Sequence, residues 1–408
     1  MQVLCLMNEG LCQLVQACKE LCGVCMKVMH IITDLADGGA EGVLYRLVIN
    51  EKTNEHHIIS LMGEGKYGSL LREAGVSVTT LDMPRGGISI VGVYRLWKTV
   101  RLWKPNVVQT WMYHADFLGG LVCRMAGVKP IVWGVRHSDL DPERSSRATI
   151  MIAKLSSRLS RFIPKRIAVC AHRAVLVHAG LGYAADRMVV IPNGYDLTRF
   201  VPDAGSRSRL RQELGVPDSM PLIGMVARSD PQKDHANLIN ALALLSQMMI
   251  PFRVILVGAG MTRDNQEVAG YISQCGLKDT VLLLGPRGDI PAVMNALDIH
   301  VLSSSSEAFP NVLAEAMACG TPCVTTDVGD AAFIVGNMGW VVPPRAPAEL
   351  SVALAQAITE WKDEDTWSER KRMARERITD NFSIERMVKR YREVWADAIN
   401  ASQRKVTN

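Results

Sequence analysis

The chain has 408 residues, too many for one ordinary hydrophobic core and enough for two domains of roughly 180 residues each. A hydrophobic share of 48% and a formal net charge of +5 are those of a soluble globular protein and point to no nucleic-acid partner. No apolar run reaches the ~20 residues needed to span a bilayer. The charge is unevenly spread: residues 26–200 carry 23 Lys/Arg against 14 Asp/Glu. A basic front half and a slightly acidic back half suggest that one half faces something anionic.

Five of the ten cysteines (Cys5, Cys12, Cys18, Cys22, Cys25) crowd into the first 25 residues. Cys22 and Cys25 form a C-x-x-C, but no second pair or nearby His completes a zinc site. The others, such as Cys123, Cys170 and Cys323, sit in apolar patterns and read as small buried hydrophobes, as expected of a reduced, cytosolic chain. Residues 1–25 lack the basic start of a signal peptide and are interrupted by Glu9, Lys19 and Glu20. They are expected to be an upstream extension outside the fold, or else a loosely attached amphipathic helix.

From Val28 onward strands and helices alternate. Val28–Ile32, His57–Leu61, Val76–Leu81, Asn106–Thr110, Ile131–Val135, Ile167–Cys170 and Met188–Ile191 read as short buried strands, with helices near 40–53, 89–104, 115–127, 147–163 and 172–181. A second series follows Pro202: Leu222–Val226, Arg253–Val257, Val281–Leu284, Asp298–Leu302 and Pro322–Thr325. Such alternation implies parallel, doubly wound α/β sheets. The expected division is a first domain over 26–200, a second over 201–380, and a terminal segment, 381–408. In the last of these, Met387, Tyr391 and Trp395 form one helical stripe.

Ligands of open α/β sheets bind outside the carboxyl ends of the strands, so the loops there hold the candidate site. After the first strand comes Asp34-Leu-Ala-Asp-Gly38-Gly39-Ala-Glu41. Paired glycines let backbone approach a ligand, although a plain tight turn explains them equally well. The third glycine of a dinucleotide fingerprint is absent, which disfavours a dehydrogenase. His114 and Asp116 follow the fourth strand, where acceptor-side contacts belong, and Arg136-His137-Ser-Asp139 follows the fifth. A lone His is as often structural. Asp139-x-Asp141 has the form of a metal-binding pair but stands in the wrong sheet context, and no metal is predicted.

Tyr94-Arg-Leu-Trp97-Lys-Thr-Val-Arg101-Leu-Trp103-Lys104 mixes cations and tryptophans on one helix, and a second basic cluster runs from Arg144 to Arg166. Both suit an anionic membrane surface, and equally a sheet-packing helix with a solvated basic face. In the second half, Arg228 and Lys233 follow a strand and bracket Pro231. Gly258 and Arg287 stand in further strand-end loops where a nucleobase could lodge. The run Leu302-Ser-Ser-Ser-Ser-Glu307-Ala-Phe-Pro310 then leads into a helix from Asn311. The N–H groups of Asn311, Val312 and Leu313 at its positive end make an anion site. Glu307 and Glu315 flank it. Carboxylates accept hydrogen bonds from hydroxyls, so the arrangement suits a ligand with a central phosphate and polyols on either side, such as a nucleotide sugar.

Glu307 and Glu315, seven residues apart, resemble the E-x7-E motif of the retaining glycosyltransferases of family 4. The surrounding SSSSEAFPNVLAEAMACGTPCVTTDVGD, the Arg228-x4-Lys233 pair and the Ile191-Pro-Asn-Gly-Tyr-Asp196 hinge resemble that family as well. The likeness runs over about residues 27–400. It implies the GT-B architecture, two facing Rossmann-like domains with a central cleft. It also implies transfer of a sugar from a UDP- or GDP-linked donor to an acceptor hydroxyl with retention, without metal or other cofactor. By the resemblance Arg228 and Lys233 grip the diphosphate, Glu315 the ribose and Glu307 the donor sugar; Gly39 meets the phosphate and His137 the transferred sugar. A glycan or lipid-linked acceptor of bacterial surface polysaccharide or glycolipid synthesis, and a place at the inner face of the plasma membrane, belong to the same expectation. An epimerase of the same architecture, or a non-catalytic nucleotide-sugar-binding protein, remains the alternative.

Overall fold

The computed structural model describes residues 25–136 and 146–403. The expectations for the first 24 residues, for His137 and for Asp139-x-Asp141 fall outside the described residues.

Two parallel sheets organise the chain. The first contains β1 (Lys27–Ile32), β2 (Glu55–Ser60), β3 (Ser77–Thr80), β4 (Val107–Trp111), β5 (Ile131–Val135), β6 (Arg166–Val169) and β7 (Met188–Val190). Its order is β3-β2-β1-β4-β5-β6-β7. The second contains β8 (Leu222–Val226), β9 (Arg253–Val257), β10 (Val281–Gly285), β11 (Ile299–Leu302), β12 (Cys323–Thr326) and β13 (Trp340–Val342), in the order β10-β9-β8-β11-β12-β13. These are the doubly wound sheets expected from the alternation. Helices cover both faces, so the strands are continuous apolar runs: every residue of β4, β5 and β11 is buried. Strand order reverses between β1 and β4 and again between β8 and β11. Those two crevices are the topological switch points where ligands bind.

Sequence and structure agree within about two residues at most strand ends. The elements not expected include the three-residue strand β13 and the helices Gly65–Glu73, Ala204–Leu214, Pro347–Trp361 and Glu364–Phe382.

The last helix, Ile384–Gln403, lies on the first sheet. Met387, Tyr391 and Trp395, the expected stripe, are buried in one cluster with Val28, Ile32 and Trp111. Trp395 Nε1 donates to Gln109 Oε1 (3.2 Å). The crossing is pinned at the hinge, where the Tyr195 N–H donates to the Phe382 carbonyl (2.9 Å) and the Ile384 N–H donates to the Tyr195 carbonyl (3.1 Å). Gly194 permits this approach, because a Cβ there would lie 2.8 Å from Ile384 Cα.

Candidate active site

The loop after β8 is shaped by its own carboxylates. Asp230 accepts the Gln232 N–H (2.9 Å) and opens a short 3-10 turn, Pro231–Lys233. It also receives Arg228 Nη2 (2.9 Å) and Nε (3.1 Å). Burial alone would raise the Asp230 carboxyl, but the Gln232 N–H and the Arg228 guanidinium outweigh it and hold it low. Arg228 keeps 66% of its side chain exposed. Asp234, in left-handed conformation (φ 50°), then caps the His235–Gln247 helix through the Asn237 N–H.

The serine run after β11 is stitched to that loop. Ser303 Oγ lies 3.0 Å from the carbonyls of both Lys233 and Asp234, and the Ser305 N–H donates to the Gln232 carbonyl (2.8 Å). As a result Lys233 Nζ and Glu307 Oε1 meet at 2.5 Å, and Ser304 Oγ donates to the same oxygen (2.8 Å). Residues 74 positions apart in sequence thus form one charged pair at the β8/β11 switch point. Gly258 (φ 149°) makes the packing under this loop feasible, since a Cβ would lie 2.1 Å from the Ala227 carbonyl oxygen.

The helix after Pro310 runs from Asn311 to Ala318. Its opening differs in detail from the expectation of three free donors. The Leu313 N–H already donates to the Pro310 carbonyl (3.3 Å), which leaves Asn311 and Val312 at the open end. The Asn311 side chain turns to the hinge, where its Oδ1 accepts Asn193 Nδ2 (3.0 Å) and the Tyr195 hydroxyl (2.7 Å). One turn on, burial raises the Glu315 carboxyl, and the Arg46 and Arg199 cations only partly offset this.

On the first sheet, the Gly39–Asn50 helix begins at the paired glycines. A Cβ on Gly39 would meet nothing within 4 Å, whereas one on Gly38 would lie 2.2 Å from Glu41 Oε2. The loop is therefore folded around a carboxyl group, a reason for glycine that the sequence did not show. Burial pushes Glu41 up to about 7; its own N–H opposes this and neighbouring Asp34 reinforces it. Across from it, Met112 joins β4 to the following helix with φ 70°, a strained conformation for a non-glycine residue.

Asp116 is placed differently from the expectation, and His114 and Arg287 have surroundings of their own. Asp116 does not face an acceptor. A single π turn (Ala115–Gly119) tucks it beneath the sheet, where it is fully buried and accepts Thr110 Oγ1 (2.5 Å) and the Gly134 N–H (3.0 Å). Burial raises it to about 7 against those two bonds, and its work is to tie β4 to β5. His114 is half-buried, and burial lowers its pKa, which favours the neutral ring. Arg287 is paired with two carboxylates, Asp289 (2.8 and 2.7 Å) and Glu213 (2.9 Å).

The two halves enclose a cavity of about 290 Å³, lined from the first by Gly39, Glu41, Met112, Arg136 and Asn193 and from the second by Phe309 and Asn311. Arg136, beside the expected His137, was passed over in the sequence. Its signal was its place at the carboxyl end of β5. Its Nη1 donates to Asn193 Oδ1 (3.0 Å), its Nη2 donates to the Tyr391 hydroxyl (2.7 Å), and its guanidinium lies 4.7 Å from the Trp111 ring.

Two facing doubly wound sheets, with a cleft between them and charged loops at both switch points, define a GT-B enzyme. The family model for glycosyl transferases group 1 matches residues 206–374, and that for glycosyltransferase family 4 matches residues 37–199. Over 315 residues the chain is 25% identical to the UDP-Gal:alpha-D-GlcNAc-diphosphoundecaprenol alpha-1,3-galactosyltransferase of Escherichia coli, covering 76% of this chain and 79% of that one. It is 27% identical to the 2-deoxystreptamine glucosyltransferase of Streptomyces kanamyceticus, covering 76% and 85%. Anabaena HepE, crystallised in complex with UDP, has the same fold, with a TM-score of 0.78 at 24% identity over 91% of this chain and 100% of that one. The chain belongs to the family 4, group 1 glycosyltransferases. It is an enzyme that transfers a sugar.

Proposed function

We propose that the protein moves a sugar from a uridine- or guanosine-diphosphate donor to a hydroxyl of a glycan or lipid-linked acceptor, with retention at the anomeric carbon. The observation that carries this is the meeting of Lys233 with Glu307 at the β8/β11 crevice. A cation and a carboxylate fixed together offer a donor for phosphate oxygens and an acceptor for sugar hydroxyls. Lys233 and Arg228 stabilise the charge that builds on the leaving diphosphate, more in the transition state than before it. Glu307 holds the donor sugar's hydroxyls, and Glu315 accepts from the ribose. In the step itself the acceptor oxygen bonds to the anomeric carbon as the bond to the phosphate oxygen breaks. The departing phosphate takes the acceptor's proton on the same face. No metal or other cofactor takes part, so chelation with EDTA leaves the rate unchanged.

The acceptor class is supported by the Escherichia coli relative, whose name gives a diphosphoundecaprenol-linked sugar as its substrate. An assignment to surface polysaccharide or glycolipid synthesis follows from it. Among the described residues no helix is long and apolar enough to cross a membrane. The Ile90–Trp103 helix instead exposes Ile90 (86%), Leu102 (72%) and Tyr94 beside Arg95, Lys98 and Arg101. Cations among exposed apolar groups suit peripheral binding to an anionic leaflet, and on this reading the protein works at the cytoplasmic face of the plasma membrane.

The test is a panel of nucleotide sugars incubated with short-chain lipid-linked sugars, followed by mass spectrometry and by NMR of the new anomeric centre. One donor is expected to yield an axial-linked product, with loss of transfer in Lys233→Ala. Release of free nucleotide and a rearranged sugar without acceptor would favour an epimerase instead.

A further inference from the structure

Under the final helix a chain of hydrogen bonds runs across the first sheet to the wall of the cleft. Trp111 Nε1, at the end of β4, donates to His30 Nδ1 on β1 (3.2 Å). His30 Nε2 meets His56 Nδ1 on β2 (3.0 Å), and His56 Nε2 meets Glu51 Oε2 (2.9 Å). His30 and Trp111 are fully buried, and so is nearly all of Glu51. The final helix closes over the chain: Arg392 Nε pairs with Glu51 Oε1 (2.8 Å), and the Trp395 ring lies 5.8 Å from His30 and 6.0 Å from His56.

The two ends fix the direction of every bond between them. An indole N–H can only donate, so His30 Nδ1 accepts and the His30 proton sits on Nε2. That proton goes to His56 Nδ1, which leaves His56 to donate from Nε2 to Glu51. Glu51 is an acceptor throughout, because it also takes the Thr53 hydroxyl (2.6 Å) and the Asn54 N–H (3.0 Å). Burial alone would raise its carboxyl, but the His56 and Thr53 bonds outweigh that and hold it at about 2. Each imidazole therefore carries one proton and uses both nitrogens. A further proton would set two N–H groups face to face, between Trp111 and His30 or between His30 and His56.

Burial, reinforced by His56, keeps His30 well below its ordinary value of 6.5, with Glu51 opposing. The charged groups on the elements packed around the pair have their own places. Arg392 pairs with Glu51, Lys27 with Glu55 (3.8 Å) and Asp397 with Arg166, while Arg46 lies over the Tyr195 ring (5.8 Å) and Glu41 lines the cavity. From β4 comes Gln109, a neutral acceptor for Trp395 Nε1.

The last link reaches the site. The Trp111 ring stacks on Tyr391 (5.7 Å) and carries the Arg136 guanidinium (4.7 Å), and the next residue, Met112, lines the cavity in its left-handed conformation (φ 70°). We propose that Glu51, His56 and His30 are positioning residues that hold Trp111 at the cleft wall through this one-way chain, and that acid breaks the chain and loosens the final helix. An opened segment takes up the proton first as pH falls below about 6.5, so the hold present above that value is lost below it, by up to about tenfold per pH unit for each imidazole. Burial raises Glu41 and Asp116, so acid acts on those two in the opposite direction.

The first measurement is long-range ¹H–¹⁵N NMR of the imidazoles in the wild type at about pH 7.5. Both His30 and His56 are expected as Nε2–H tautomers, and an Nδ1–H tautomer or an imidazolium at either position overturns the inference. The second is amide hydrogen exchange across Ile384–Gln403 from about pH 7.5 to about pH 5.5, corrected for the intrinsic pH dependence of exchange, in wild type and His30→Asn. Asparagine offers an oxygen to Trp111 and has nothing to protonate. Wild-type protection is expected to fall about tenfold or more over this range, and that of His30→Asn about threefold or less. Flat protection in the wild type, or an equal fall in the variant, overturns the inference. Neither measurement needs a substrate, so failure here is distinct from failure of the transferase function. Given that function, the rise in acceptor KM over the same range is expected to be about threefold or more larger in wild type than in His30→Asn, with the change in UDP or GDP affinity the same in both. An equal rise in KM contradicts the positioning role. If His30→Asn does not fold, the wild-type tautomers and the pH dependence of wild-type protection still decide.

Discussion

Asp330 belongs to the second half of the chain but caps a helix of the first. The His172–Gly180 helix is preceded by Ala171, which has no side chain to offer its first turn. Asp330, only 3% exposed, supplies both acceptors from across the cleft, and His172 packs edge-on against Phe333 at 4.7 Å. Replacing Asp330 by Ala removes a cap worth about 0.5–2 kcal/mol, together with a carboxylate at the positive end of a helix worth about 0.3–1 kcal/mol. His172 and Arg173 are exposed enough for water to recover part of this. A net loss of about 1–2 kcal/mol is expected, which shifts the balance between closed and open cleft about tenfold toward open. Scanning calorimetry should show a Tm lower by on the order of 3–5 °C, and small-angle scattering a larger radius of gyration for Asp330→Ala. Asp330→Asn, which keeps one acceptor oxygen, should fall between. An unchanged Tm together with an unchanged radius in Asp330→Ala would show that this contact does not hold the halves together in solution.

Glu41 makes stability depend on pH. Its carboxyl is raised from 4.5 to about 7 in the folded state, so the unfolded chain releases the proton first and stability is lost as pH rises through that window. Glu41→Gln should therefore match the wild type in Tm near pH 4.5 and exceed it above pH 7. An equal difference at both pH values would contradict the burial of that carboxyl. Gly38→Ala places a methyl group where Glu41 Oε2 now lies. Because the end of a flexible side chain yields easily, the expected stability loss is under about 1 kcal/mol, accompanied by a higher acceptor KM and unchanged nucleotide affinity. Steady-state kinetics in the acceptor checks this, and a lower nucleotide affinity would speak against it.

Much of the architecture was readable because parallel strands buried on both faces are unbroken apolar runs. Ile131–Val135, Leu222–Val226 and Arg253–Val257 needed no tertiary information. β13 escaped because three residues carry no periodicity, and its partner β12 supplies what the segment lacks. Within the site, Glu307, Lys233 and Gly39 could be named from their positions at strand ends. That Lys233 and Glu307 touch could not, since the contact depends on Ser303 and Ser305 bonding to a loop some 70 positions earlier. Asp116 was misjudged for a related reason. Its position after β4 is that of a site residue, but one π turn rotates it under the sheet, and single turns of that kind leave no pattern in sequence. The pairing of Arg287 with Glu213 was not legible because nothing in its own segment announces Glu213, which arrives from the Ala204–Leu214 helix. Gly38 was explained by backbone freedom, whereas the structure explains it by the Glu41 carboxyl packed against it.

The central claim is that a nucleoside diphosphate binds at the β8/β11 crevice through Lys233. Calorimetric titration of UDP and GDP into wild type and Lys233→Ala tests it most directly. One of the two nucleotides is expected to bind the wild type, with affinity about ten- to hundredfold lower in the variant, the worth of a charge-assisted hydrogen bond. Equal affinity in both proteins, or no binding of either nucleotide to the wild type, would contradict it.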